Sequence, residues 1–238
     1  MDTDVAVVLC QQVINLPSDV EVWIVIGKGS NVTQLCINDV VESLGPGIAC
    51  ALPFFHTFTG CDTVSAFFGK GKVIAWNTWT KLGDKLTEVM GNLTSNDLCP
   101  ITSDDPAYKI LQNFTCKLYD RTTDLEDVNI LREAIICQVT QRVECLPPTQ
   151  DALLLHCNRS LYQAYIWARS DCPLLNMPSP ADYGWKTDAD TKSWIPRWTS
   201  QPPFAPPQHC KCRKTCSSCI CKKSSLSCTR LCSCSCIK

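Results

Sequence analysis

Val5-Ala6-Val7-Val8-Leu9 and Val20-Glu21-Val22-Trp23-Ile24-Val25-Ile26 are the two stretches on which the fold of this 238-residue chain turns. Both are short and almost wholly apolar. Runs of this kind fit strands buried on both faces of a parallel sheet. The second ends at Gly27-Lys28-Gly29. Beyond it, Ile37–Leu44 predicts a short helix stopped by Gly45-Pro46-Gly47. Ile48–Thr57 predicts an apolar helix ending near Gly60. A turn at Gly69-Lys70-Gly71-Lys72 then leads into a helix across Val73–Leu82.

From Ser103 onward the apolar residues recur with helical spacing. Tyr108, Leu111, Phe114 and Leu118 mark one face; Leu125, Val128 and Leu131 mark a second; Leu153, Cys157, Leu161 and Ala164 mark a third. Pro147-Pro148 separates the last two, and Thr149 is placed to cap the third. Residues 173–208 are rich in Pro and Trp. They predict an irregular wrap that docks Trp185, Trp194 and Trp198 on the body, followed by a stiff linker. The expected class is α/β. A partial parallel sheet spans 1–100, a helical region 101–172, the wrap 173–208 and a cysteine-rich module 209–238.

Net charge is −1, unevenly spread. Cys210–Lys238 holds seven cations and no acid, leaving 15 cations against 23 acids in residues 1–209. Attraction to a polyanion must therefore come mainly from the tail or from a local patch. No apolar run reaches the roughly 20 residues of a membrane helix. Met1-Asp2-Thr3-Asp4 lacks the basic start of an export signal. The ten cysteines outside the tail, such as Cys137 in Ile135-Ile136-Cys137, read as reduced core thiols. Four Asn-x-Ser/Thr sequons at Asn31, Asn92, Asn113 and Asn158 point the other way, toward secretion.

The tail runs Cys210-x-Cys212-x3-Cys216-x2-Cys219-x-Cys221-x6-Cys228-x3-Cys232-x-Cys234-x-Cys236. It has too few apolar residues to build a core, so ligation must supply its folding energy. Zinc takes four ligands in a tetrahedron. Three separate tetrahedra need twelve bonds. Nine thiolates supply twelve when three of them bridge and six do not. Such a cluster carries −3, which the cations Lys211, Arg213, Lys214, Lys222, Lys223, Arg230 and Lys238 more than offset. A metallothionein-like buffer and a disulfide knot are the competing readings. His209 adjoins the first cysteine as a spare ligand or a solvated side chain.

The cysteine order of residues 210–236 resembles the tesmin/TSO1-like CXC domain. That resemblance implies three bound zinc ions and DNA contact, here through Lys211, Arg213, Lys214, Lys222, Lys223 and Arg230. The gaps before Cys219 and Cys236 are shorter than usual. Ser218 stands where typical members carry a tyrosine.

In the body, Asp2 and Asp4 precede the first apolar run, and Asp62 follows in Gly60-Cys61-Asp62. Carboxylates at strand ends can converge on a hard divalent cation. The constellation resembles flap-endonuclease, PIN-like nucleases. The resemblance implies Mg²⁺ or Mn²⁺ on Asp2, Asp4 and Asp62, and a backbone-gripping hairpin at Gly69, Lys70, Gly71 and Lys72. The wider string Ala51–Lys72, with Tyr119-Asp120-Arg121 and Gly184-Trp185, resembles animal proteins similar to mobile-element products that often end in a CXC-like tail. The family's acids upstream of the Asp-x-Asp have no counterpart here, so the expectation is a truncated, inactive nuclease-like body. Plainer readings make Asp2 and Asp4 a solvated terminus, Asp62 a cap for a helix over Thr63–Phe68, Lys70 and Lys72 a solvated turn, and His56 a satisfied core residue. The expected function is zinc-dependent DNA binding in the nucleus, or alternatively the cytoplasm, away from membranes. A metal-dependent nuclease and a metallothionein-like protein are the alternatives.

Overall fold

A computed structural model describes residues 3–28, 31–138, 145–199, 210–212, 216, 219–223, 232–234 and 236. The architecture is mixed α/β and mainly helical. The first expected strand is a helix instead: α1 runs Thr3–Val13. A short apolar run cannot by itself distinguish a strand from a buried helix. What decides here is the continuation through Cys10, Gln11 and Val13, all buried, while Val5 stays half exposed. Asp4 sits in the first turn, where a carboxylate suits the positive end of the helix dipole.

The second apolar run does form a strand, β1 (Trp23–Lys28). Its partner is antiparallel β2 (Asn31–Cys36), with Trp23 opposite Cys36 and Ile26 opposite Thr33. A second antiparallel pair joins β3 (Trp185–Thr187) to β4 (Trp194–Pro196). Among the described residues these are the sheets, so the parallel sheet expected for residues 1–100 is not found. With α1 helical, β1 has no parallel neighbour in which to bury both faces. Trp23, Val25 and Val32 remain exposed.

The later helices are α2 (Ile37–Leu44), α3 (Pro46–Phe58), α4 (Lys72–Leu82), α5 (Asp84–Ser95), α6 (Pro106–Tyr119), α7 (Val128–Gln138) and α8 (Gln150–Ala168), and all but the unexpected α5 follow the sequence closely. Pro46 starts α3 at a position where its missing N–H costs nothing. Thr149 caps α8 by accepting from the Ala152 N–H. Asp105 does the same for α6 through Ala107.

The core is arranged around α3. Every residue from Ala51 to Phe58 is buried, and the helix packs against α1, α2, α5 and α8. Phe54, Phe58, Phe67, Phe114 and Trp79 fill the space between these elements. Polar groups tie the seam. Thr57 Oγ1 donates to the Ser160 carbonyl at 3.0 Å, and His156 Nε2 meets the Phe58 carbonyl at 2.8 Å.

The Trp/Pro-rich wrap departs from expectation in part. Trp185 packs against the core, but Trp194 is half exposed and Trp198 is 75% exposed.

Candidate metal centre

The tail gathers cysteines from distant positions. Cys210, Cys212, Cys216 and Cys219 form one group, Cys210, Cys232 and Cys234 a second, and Cys216, Cys234 and Cys236 a third. Within each group the sulfur atoms lie within 4.8 Å of one another. Two thiolates on one tetrahedral zinc, with Zn–S near 2.3 Å, stand roughly 3.8 Å apart. The groups therefore have the chemistry and the spacing of zinc sites.

The sharing pattern is specific. Cys210 belongs to the first and second groups, Cys216 to the first and third, and Cys234 to the second and third. Each pair of groups thus has one sulfur in common. Cys210 Sγ and Cys216 Sγ are 3.3 Å apart, well beyond the roughly 2.05 Å of a disulfide.

Backbone donors point at the sulfurs. The Cys210 N–H donates to Cys232 Sγ at 3.4 Å and the Cys216 N–H to Cys236 Sγ at 3.3 Å. The Ser233 N–H closes on the Cys210 carbonyl at 3.0 Å, drawing the two ends of the module together. A short helix, α9 (Ile220–Lys223), follows Cys219. Lys211, Lys222 and Lys223 are exposed. The side chain of Cys221 and all of Arg213, Lys214, Arg230, Cys228 and His209 lie outside the described residues.

The body acids behave differently. Asp2 lies outside the described residues. Asp4 and Asp62 do line one cleft, of about 430 Å³, together with His56 and Lys72. Asp4, however, is engaged by His56, with Nε2 to Oδ1 at 2.7 Å. His56 is therefore the satisfied core residue that its apolar surroundings predicted. Asp62 is exposed, in a bend rather than at the start of a helix. Among the described residues, groups of three or more metal-ligating side chains occur in the tail and not at this cleft.

The lysine turn is also spoken for. Lys72 Nζ donates to the His56 carbonyl at 2.9 Å, Thr59 Oγ1 at 3.1 Å and the Gly60 carbonyl at 2.6 Å. An ammonium has three donors, so Lys72 closes the C-terminus of α3 and has none left for a phosphate. These acceptors take the donors that the expected DNA grip would use. Its burial pushes its pKa down, against the pull of Cys61 and Asp4. Lys70 lies 4.9 Å from the centre of the Tyr119 ring. Gly69 takes a positive φ of 68° at the turn, and Gly71 precedes α4 in an extended conformation.

The secretion signal weakens at one sequon. Asn158 is 5% exposed and clamps Ile101 from both sides, accepting from its N–H at 2.7 Å and donating to its carbonyl at 3.0 Å.

Comparison with family models, with curated proteins and with solved structures gives no match.

Proposed function

We propose that the tail is a three-zinc, nine-thiolate module and that it holds DNA by the phosphate backbone. The observation that carries the metal reading is the pairwise sharing of Cys210, Cys216 and Cys234 among three sulfur groups. Ten of the twelve ligand positions of a three-zinc cluster fall to described cysteines. The two cysteines left over, Cys221 and Cys228, complete the count. Zinc would supply the folding energy that two leucines and two isoleucines cannot.

The DNA reading rests on charge. A −3 cluster set among seven cations leaves an excess of about four positive charges, on a segment without acids. It draws support from the exposed Lys211, Lys222 and Lys223 and from the tesmin/TSO1-like cysteine order, and a nuclear setting would suit it. A nuclease reading draws on Asp4 and Asp62 sharing a cleft. It is opposed by the Asp4–His56 pair and by the ammonium of Lys72 beside them. Phosphodiester hydrolysis by two metals requires carboxylates that are available to both ions.

Native mass spectrometry of the full chain tests the first half, with three zinc ions expected. A salt titration of binding to duplex DNA tests the second. Each neutralised phosphate contributes a slope of about −0.9 in log K against log salt, and a slope of about −3 or steeper is expected. Metal-free protein with oxidised tail thiols would overturn the proposal. Three bound zinc ions with a salt slope near zero would leave a metallothionein-like buffer in place of a DNA-binding module.

A further inference from the structure

A second cleft, of about 400 Å³, opens beside the first half of α8. It is lined by Arg159 and His156 from that helix, Phe68 and Tyr119 from the body, and Arg197 and Trp198 just after β4. No carboxylate is among its described lining residues.

One carbonyl ties the Arg159 guanidinium to the Arg197 backbone. The Gly184 oxygen accepts from Arg159 Nη1 at 3.1 Å and from the backbone N–H of Arg197 at 2.9 Å. Gly184 holds a φ of +83°, and a Cβ there would meet the Leu155 carbonyl at 2.8 Å and Arg159 Nη1 at 3.2 Å. Glycine is thus required for the two residues to approach. Arg159 is only 7% exposed, yet the Gly184 carbonyl is the one acceptor described for its five donors. Among the described residues, neither guanidinium has a carboxylate within ion-pair reach. Burial lowers the pKa of Arg159; Cys157 opposes this, and the charge of Arg197 adds to it. Arginine keeps its proton regardless, so two like charges stand together without a counter-ion. Arg197 is exposed and screened by water, but the buried charge of Arg159 costs free energy that a dianion reaching both would offset.

The mouth of the cleft is aromatic. Trp198 is 75% exposed and Phe68 58% exposed, large rings left in water at the edge of a cationic recess. A flat π-system stacks favourably on such a ring. The recessed guanidinium and the exposed indole are suited to a ligand whose phosphate and ring are separated by a spacer, as a sugar separates them in a nucleotide.

We propose that this cleft binds a nucleotide unit, its phosphate on Arg159 and Arg197 and its base on Trp198. The unit is either a free nucleotide or the phosphorylated end of a single strand. The site is independent of the zinc module and stands whether or not that module touches DNA.

Calorimetric titration of the full-length, zinc-loaded chain tests the site with dAMP, inorganic phosphate, phenyl phosphate and a 5′-phosphorylated oligodeoxyadenylate. Arg197 and Trp198 are exposed, so Arg197→Ala and Trp198→Ala leave the core intact, which circular dichroism checks. Saturable dAMP binding is expected, weakened at least about tenfold in each variant. Because the tail is common to all variants, its own affinity for the oligonucleotide cancels in the comparison. Oligonucleotide binding that exceeds dAMP binding and depends on Arg197 identifies the strand end as the source; equal binding identifies the free nucleotide. The proposal is overturned if dAMP and the oligonucleotide both bind without regard to Arg197, or if dAMP fails to saturate and the oligonucleotide shows no Arg197 dependence. It is overturned equally if phenyl phosphate or phosphate alone binds as tightly as dAMP.

Discussion

His156 lies between α3 and α8, with its ring against Phe58 and Phe67 and Nε2 on the Phe58 carbonyl. A carbonyl only accepts, so Nε2 carries a proton; it is burial that keeps the ring neutral. Burial is the main reason its pKa falls from 6.5 to about 4; the Phe58 bond opposes the fall and Arg159 reinforces it. The unfolded chain therefore binds the extra proton first. Stability from this residue is complete above about pH 6.5 and is lost as pH falls toward about 4, by roughly 3 kcal/mol. Urea unfolding of the wild type and of His156→Gln across that window checks it, because the variant lacks the slope whatever happens to the tail thiols. Gly60 supplies a second expectation. Its φ is +109°, and an added Cβ would stand 2.6 Å from Ala66 Cβ and 2.9 Å from Ala66 Cα. Gly60→Ala should cost about 2 kcal/mol or more, read as a lower urea midpoint with an unchanged slope.

At the scale of elements, the six helices α2, α3, α4, α6, α7 and α8 were legible because glycine and proline punctuate runs of clear 3.6-residue period. Gly45-Pro46 ends α2 and starts α3, and the expected Ile37–Leu44 is matched residue for residue. Helix α1 was not legible, since Val5–Leu9 alone fits either structure and its partner surface on α3 is a tertiary fact. Strand β2, Asn-Val-Thr-Gln-Leu-Cys, carries too few apolar residues to announce itself, and α5 is likewise weakly marked. The cysteine cluster was legible because nine cysteines crowd residues 210–236. The pairing of Arg159 with Arg197 was not, because only the turn at Gly184 brings them together. The sharing of sulfurs sets a graded expectation within the module. Cys234→Ser disturbs two ligand groups, Cys212→Ser only one. Counting metal by native mass spectrometry, Cys234→Ser should lose two or more zinc ions and Cys212→Ser no more than one. Equal losses would argue against bridging.

Taken as a whole molecule, the chain has two kinds of interior. Phenylalanines, leucines and Trp79 build one, around α3; sulfur builds the other, with Cys210, Cys232 and Cys234 at its centre. The first is packed from apolar side chains; the second has few of them, and the proposed zinc would hold it. On the proposed zinc and DNA reading, a strong chelator should release zinc and abolish DNA binding while leaving the helical circular dichroism nearly unchanged. A collapse of the helical signal on chelation would show that the body depends on the tail.

A ligand held in common also constrains how the metal leaves. In the proposed cluster, stripping any one ion from three that are joined pairwise would strand two half-coordinated thiolates, each still attached to a neighbour. Partial occupancy is then the least favourable composition, and loading should rise steeply over a narrow range of free zinc. In such a chain the supply of metal acts as an on–off condition for the cationic surface, rather than as a dial.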